Sequence, residues 1–125
     1  MTIRVLVVDD SVVIRRLVVQ ALESDPGIEV ISTAANGRLA LAKVEQLRPD
    51  AVTMDIEMPE LNGVEAVREL RKRGHAMPII MFSTLTERGA TATLDALSAG
   101  ASDYVAKPSN VGSINESLKA VADQL

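Results

Sequence analysis

The chain has 125 residues, 47% of them apolar and drawn mainly from Val, Leu, Ile and Ala, with one Phe, one Tyr and no Trp. That length suits one core, because two halves would each be too small to stand alone, so residues 1–125 are expected to form a single domain with no second one. A net charge of −4 without a basic cluster argues against nucleic-acid binding, the scarcity of aromatics against stacking a base, flavin or sugar, and the absence of Cys against disulfides, thiolate catalysis and Cys-based zinc sites.

The first apolar run, Ile3–Val8, reads as a strand, and Asp9-Asp10 ends it too soon for the apolar region of a signal peptide. No later run reaches membrane-spanning length, so a cytoplasmic protein without membrane insertion is expected, and separately a monomer. Val12–Glu23 follows the capping signal of Asp10 and Ser11 and predicts a helix that Pro26-Gly27 stops. A strand is expected over Glu29–Thr33, and a helix over Arg38–Leu47, introduced by Asn36-Gly37 and closed before Pro49. Ala51–Met54 is a third strand, after which Val64, Val67 and Leu70 mark one face of a third helix ending at Gly74. His75, the one histidine, lies in the loop that follows and reads as exposed and incidental. Ile79–Phe82 is a fourth strand, Leu94 and Leu97 mark a fourth helix ending at Gly100, and Asp103–Ala106 is a fifth strand. Past the polar stretch Pro108–Ser113, residues Ile114, Leu118, Val121 and Leu125 recur at helical spacing and give a last helix one buried stripe.

Alternation of apolar β-branched runs with amphipathic stretches is the pattern of successive βα units around a parallel sheet. The expected fold is α/β and flavodoxin-like: a doubly wound five-stranded parallel sheet in the order 2-1-3-4-5, with helices on both faces.

Ligands of such sheets bind outside the carboxyl ends of the strands. Here those ends carry Asp9-Asp10, Asp55, Ser83-Thr84 and Lys107-Pro108. The first and third strands are neighbours in the expected order, so three carboxylates meet at one edge, with a hydroxyl and an ammonium arriving from the other side. Crowded carboxylates repel, and a hard divalent cation with oxygen ligands relieves them. Mg²⁺ suits the pattern because it keeps several waters and takes few protein oxygens, leaving room for phosphate. A metal on one side and Lys107 on the other would clamp a phosphoryl group in transfer, with Ser83 donating a hydrogen bond and one carboxylate serving as nucleophile. Taken singly, each residue has a plainer explanation: the Asp pair a helix cap, Asp55 part of a polar loop, Ser83 a turn residue, Lys107 a solvated surface charge. Four polar signals at four strand ends outweigh the four separate explanations.

The segments Val7-Val8-Asp9-Asp10-Ser11, Met54-Asp55-Ile56-Glu57-Met58-Pro59, Asn62-Gly63, Ser83-Thr84 and Gly100-Ala101-Ser102-Asp103-Tyr104-Val105-Ala106-Lys107-Pro108 together resemble the receiver domains of two-component response regulators, over essentially the whole chain. The resemblance implies that Asp55 accepts a phosphoryl group from a histidine kinase. It also implies that Asp9, Asp10, Asp55 and the backbone carbonyl of Glu57 hold Mg²⁺, that Lys107 pairs with the phosphoryl group, and that Ser83 and Tyr104 form the switch. A cis Lys107-Pro108 peptide is implied as well. More narrowly, Asp10-Ser11-Val12-Val13-Ile14-Arg15-Arg16 and Ser83-Thr84-Leu85-Thr86-Glu87-Arg88-Gly89 are similar to the N-terminal receiver half of chemotaxis protein-glutamate methylesterases. Those enzymes carry a C-terminal hydrolase domain, and the resemblance implies an output or methylesterase domain, in cis or in trans, as partner. Residues 1–125 contain no Gly-x-Ser-x-Gly and one His, so ester hydrolysis is not expected of them, only self-phosphorylation and self-dephosphorylation.

Three alternatives differ in their chemistry. A stand-alone single-domain response regulator would act on a separate partner. A flavin-binding electron carrier of the same fold would want a hydroxyl- and glycine-rich loop where this chain has acids. An Asp-dependent phosphatase would want Asp-x-Asp on the first strand, whereas these aspartates are adjacent.

Overall fold

Val and Ile populate the short runs of this chain because their branched side chains pack well on a pleated surface, and runs buried on both faces need no alternation of polarity. In the computed structural model, which describes residues 2–83 and 87–106, five such runs are strands: β1 (Ile3–Val8), β2 (Ile28–Ala34), β3 (Ala51–Asp55), β4 (Ile79–Ser83) and β5 (Asp103–Ala106). They form one parallel sheet in the order β2-β1-β3-β4-β5, as expected. Between them lie α1 (Val12–Glu23), α2 (Gly37–Leu47), α3 (Gly63–Lys72) and α4 (Glu87–Ala99). The last helix expected from Ile114, Leu118, Val121 and Leu125 lies outside the described residues. No helix among the described residues is long and apolar enough to cross a membrane.

Each face of the sheet has its own core. Leu6, Val8, Val52, Met54, Ile79 and Met81 pack with Ala40, Leu41 and Val44 of α2, Ala66, Val67 and Leu70 of α3, and Ala96 of α4. On the other face Val5, Val7, Ala51, Ile80, Phe82 and Val105 pack with Val18 and Leu22 of α1. The alternation of adjacent strand residues between the two clusters is the period-2 geometry of a strand applied to an all-apolar run.

Caps set the helix starts. The Ser11 hydroxyl accepts from the Ile14 N–H at 3.2 Å, and the Asn36 side chain accepts from Leu39 N–H at 2.8 Å. Asn62 and Glu65 make a reciprocal capping box at 2.9 and 3.1 Å. Four elements have boundaries slightly different from the sequence expectation. Strand β2 gains Ile28 and Ala34, which pair with Ile3 and Val8, and α2 gains Gly37 because the cap is Asn36. Asp55 and Ser83 prolong β3 and β4 through pairing with Phe82 and Ala106, which their polarity concealed.

His75 departs from its expectation. Its side chain is only 9% exposed, and Nε2 lies 2.9 Å from Glu45 Oε1 at the end of α2, with Arg73 reaching the same carboxylate at 3.5 Å. A hydrogen bond from His75, ahead of the nearby charges, holds the Glu45 carboxyl below its ordinary pKa. No local pattern announces this pair, whose partners are thirty residues apart.

The loop from Asp55 to α3 is drawn tight at Gly63, whose N–H donates to the Ile56 carbonyl at 2.7 Å. A Cβ at this position would lie 2.2 Å from the Asp55 carbonyl oxygen and 2.9 Å from Ile56 Cα, both of them backbone atoms that cannot swing aside. Gly63→Ala is therefore expected to cost about 3 kcal/mol, at the upper end of overpacking penalties. Gly74 has φ +87° with nothing within 4 Å of an added Cβ, so Gly74→Ala should cost only about 1 kcal/mol of left-handed backbone strain. Thermal or urea unfolding of the two variants checks the order, which equal losses would contradict.

Candidate functional site

The register of β1 and β3 builds the site. Val8 pairs with Met54, so the next residues, Asp9 and Asp55, emerge together at the carboxyl end of two adjacent strands. Asp9 and Asp55 are buried, at 1% and 2% exposure, while Asp10 is exposed at the rim. One carboxylate oxygen from each of the three lies within 4.8 Å of the others. Two unit charges 4.8 Å apart repel by roughly 3 kcal/mol at an effective dielectric constant of about 20. Three carboxylates so placed form a hard oxygen donor set that fits a divalent cation.

Asp9 is fixed on several sides. Its N–H donates to the Ala34 carbonyl of β2 at 3.0 Å, its Oδ1 accepts from the Ser11 N–H at 2.8 Å, and its carbonyl accepts from Arg15 Nη1 at 2.8 Å. Ser11 thus serves two roles, since its hydroxyl also caps α1. The sequence points to Ser11 as a cap and as part of a resemblance, and to Arg15 as part of a resemblance alone. No helical spacing signals the bond from Arg15 to Asp9, whose partners are six residues apart.

The remaining expected residues are distributed as follows. Glu57 is exposed, two residues beyond Asp55 at the start of the loop to α3. Ser83 ends β4 opposite Ala106, and Asp55 pairs with Phe82 one position earlier, so the strand order brings Ser83 to the same edge as the acids. Tyr104, on β5, is 49% exposed, and Leu94 of α4 is 65% exposed. The Ser83 hydroxyl, Lys107 and the cis Lys107-Pro108 peptide lie outside the described parts of the chain.

Comparison with known proteins agrees with this geometry. The response regulator receiver domain family matches residues 5–119. A protein-glutamate methylesterase/protein-glutamine glutaminase of Nocardioides sp. is 69% identical over 123 residues, which are 98% of this chain and 34% of that protein. Its counterpart in Trichodesmium erythraeum is 46% identical over 122 residues, covering 98% of this chain and 35% of that protein. The chain thus spans about a third of the length of these relatives. Among solved structures, the response regulator domain of Thermotoga maritima CheB superposes with a TM-score of 0.83 at 43% identity, covering 99% of this chain and 90% of that one. The signal receiver domain of the response regulator NarL from Mycobacterium tuberculosis gives 0.82 at 26% identity, covering 99% and 98%. With its acids gathered at the edge of a 2-1-3-4-5 sheet and the family's pattern running through residues 5–119, this chain belongs to the response regulator receiver domains, the phosphoryl-accepting switches of two-component signalling, and within them it resembles those of CheB-type regulators.

Proposed function

We propose that Asp55 is the phosphoacceptor of this receiver. The cluster of Asp9, Asp10 and Asp55, with Asp9 and Asp55 buried and Asp10 at its exposed rim, carries the reading. Asp55 suits the role better than its neighbours because β3 lies between β1 and β4, so groups from both sides converge on it. Asp9 is already fixed through Ser11 and Arg15, as a ligand should be, and Asp10 sits out at the rim.

Asp9, Asp10 and Asp55, with the backbone carbonyl of Glu57, would hold Mg²⁺. Bound there, the ion would neutralise charge on the phosphoryl oxygens while keeping open positions for them. The Asp55 carboxylate attacks phosphorus as the donor's bond to it breaks, Lys107 pairs with the transferred group, and the Ser83 hydroxyl donates to one of its oxygens. A phosphohistidine of a chemotaxis-type histidine kinase is the donor this chemistry fits. The cytoplasm is the compartment and a monomer the resting state that the family resemblance implies.

Output follows from charge. Phosphorylation adds about −1.5 to −2 units and new acceptor oxygens at the end of β3, toward which Ser83 moves and behind which Tyr104 turns inward. The exposed Leu94 and Tyr104 then change the surface that α4 and β5 offer to an output partner. The similarity to protein-glutamate methylesterases supports such a hydrolase as that partner, in cis or in trans. Control of it requires a partner that binds the two states unequally.

Incubation with a small acyl-phosphate donor should modify the protein only when Mg²⁺ is present, and Asp55→Asn should abolish modification while the protein stays folded. Persistent labelling in Asp55→Asn would move the nucleophile elsewhere. The switch has its own check: with a phosphate-mimicking fluoride complex, amide exchange over residues 84–106 and the ring environment of Tyr104 should change in wild type and not in Ser83→Ala. Identical responses in the two proteins would disprove the coupling of hydroxyl to ring.

A further inference from the structure

Arg15 is the fourth residue of α1 and makes none of the ligand contacts assigned above, yet it is tied directly to the acidic site. Its Nη1 donates to the Asp9 carbonyl at 2.8 Å. That carbonyl lies past the last ladder pairs of β1, in which Val8 meets Ala34 on one side and Met54 on the other. It also belongs to the planar peptide unit that joins Asp9 to Asp10, so its direction fixes how both carboxylate-bearing residues leave the strand.

We propose that Arg15 is a positioning residue for the acidic site: by clamping the Asp9–Asp10 peptide to α1, it sets the affinity of the three carboxylates for a divalent cation. The inference rests on the Mg²⁺ reading given above. Three bonds divide the task. Ala34 holds the Asp9 N–H, Ser11 holds Oδ1 and so the side-chain torsion, and Arg15 holds the carbonyl. Without the third, the peptide can rotate about the bonds that flank it, and the Asp9 and Asp10 oxygens lose their fixed separation. Groups that orient metal ligands from behind typically contribute 10–100-fold to affinity.

The guanidinium has an opposite influence as well. A positive charge beside a cation site repels the cation, so on charge alone the loss of Arg15 would tighten binding. Positioning and repulsion therefore predict changes of opposite sign, and a variant without donor or charge distinguishes them.

The test is a Mg²⁺ titration of the 125-residue chain, followed through the amide resonances of residues 9–11, with thermal unfolding of each variant alongside. Asp10→Ala, which removes a ligand, sets the scale. Arg15→Met keeps the aliphatic stem but neither donor nor charge, and is expected to weaken Mg²⁺ about tenfold while the protein remains folded at the titration temperature. Arg15→Lys keeps the charge and a single point donor in place of the planar fork, and should recover part of the loss, binding about threefold more weakly than wild type. A purely structural role would lower the unfolding temperature without moving the affinity of the folded protein. Unchanged or tighter binding in folded Arg15→Met overturns the inference and leaves the Mg²⁺ reading intact, as does wild-type affinity in Arg15→Lys should the Met variant fail to fold. A wild type without any Mg²⁺ response overturns both.

Discussion

The repulsion among carboxylates at the ends of β1 and β3 is the constraint on which the rest of this receiver depends. The pairing of Val8 with Met54 leaves Asp9 and Asp55 no choice but to emerge side by side, and Asp10 joins them from the rim. Because Asp9 and Asp55 are buried, water screens them poorly, so a cation or phosphoryl group brought to this edge interacts with them strongly.

Holding such a cluster together requires a stiff frame. Two apolar cores, one on each face of the sheet, fix the register of the strands, and the capped starts of α1 and α3 fix the loops that carry the acids. Gly63 lets α3 begin almost in contact with the Asp55 carbonyl, which confines the loop containing Glu57 to a short path. At the opposite end of the sheet, Arg71 bonds the carbonyls of His75, Met77 and Gly100 and so ties the end of α3 to the loops before β4 and β5. Burial lowers the pKa of that guanidinium, a cost offset by the three carbonyls it satisfies. Leu94 and Tyr104, by contrast, lie exposed on α4 and β5.

Much of this was legible in the residues because the fold is built from local signals. Apolar runs, caps such as Asn36 and Asn62, and polar strand ends each announce themselves within a few positions, and the βα alternation turns them into an order of strands. The acids at the strand ends were legible for the same reason. What escaped was long-range or geometric: the His75–Glu45 pair, the Arg71 clamp, and the bond from Arg15 to the Asp9 carbonyl all join positions that no periodicity links. Strand ends at Asp55 and Ser83 escaped because polarity suggests a loop, whereas a neighbouring strand still offers hydrogen bonds.

The central claim is that one of three closely spaced carboxylates, and not the others, takes the phosphoryl group. Borohydride reduction of the acyl phosphate formed with a small phosphodonor and Mg²⁺ converts the modified aspartate to homoserine, which peptide mapping locates. Homoserine is expected at position 55 alone. Homoserine at position 9 or 10, or divided among the three, would contradict it.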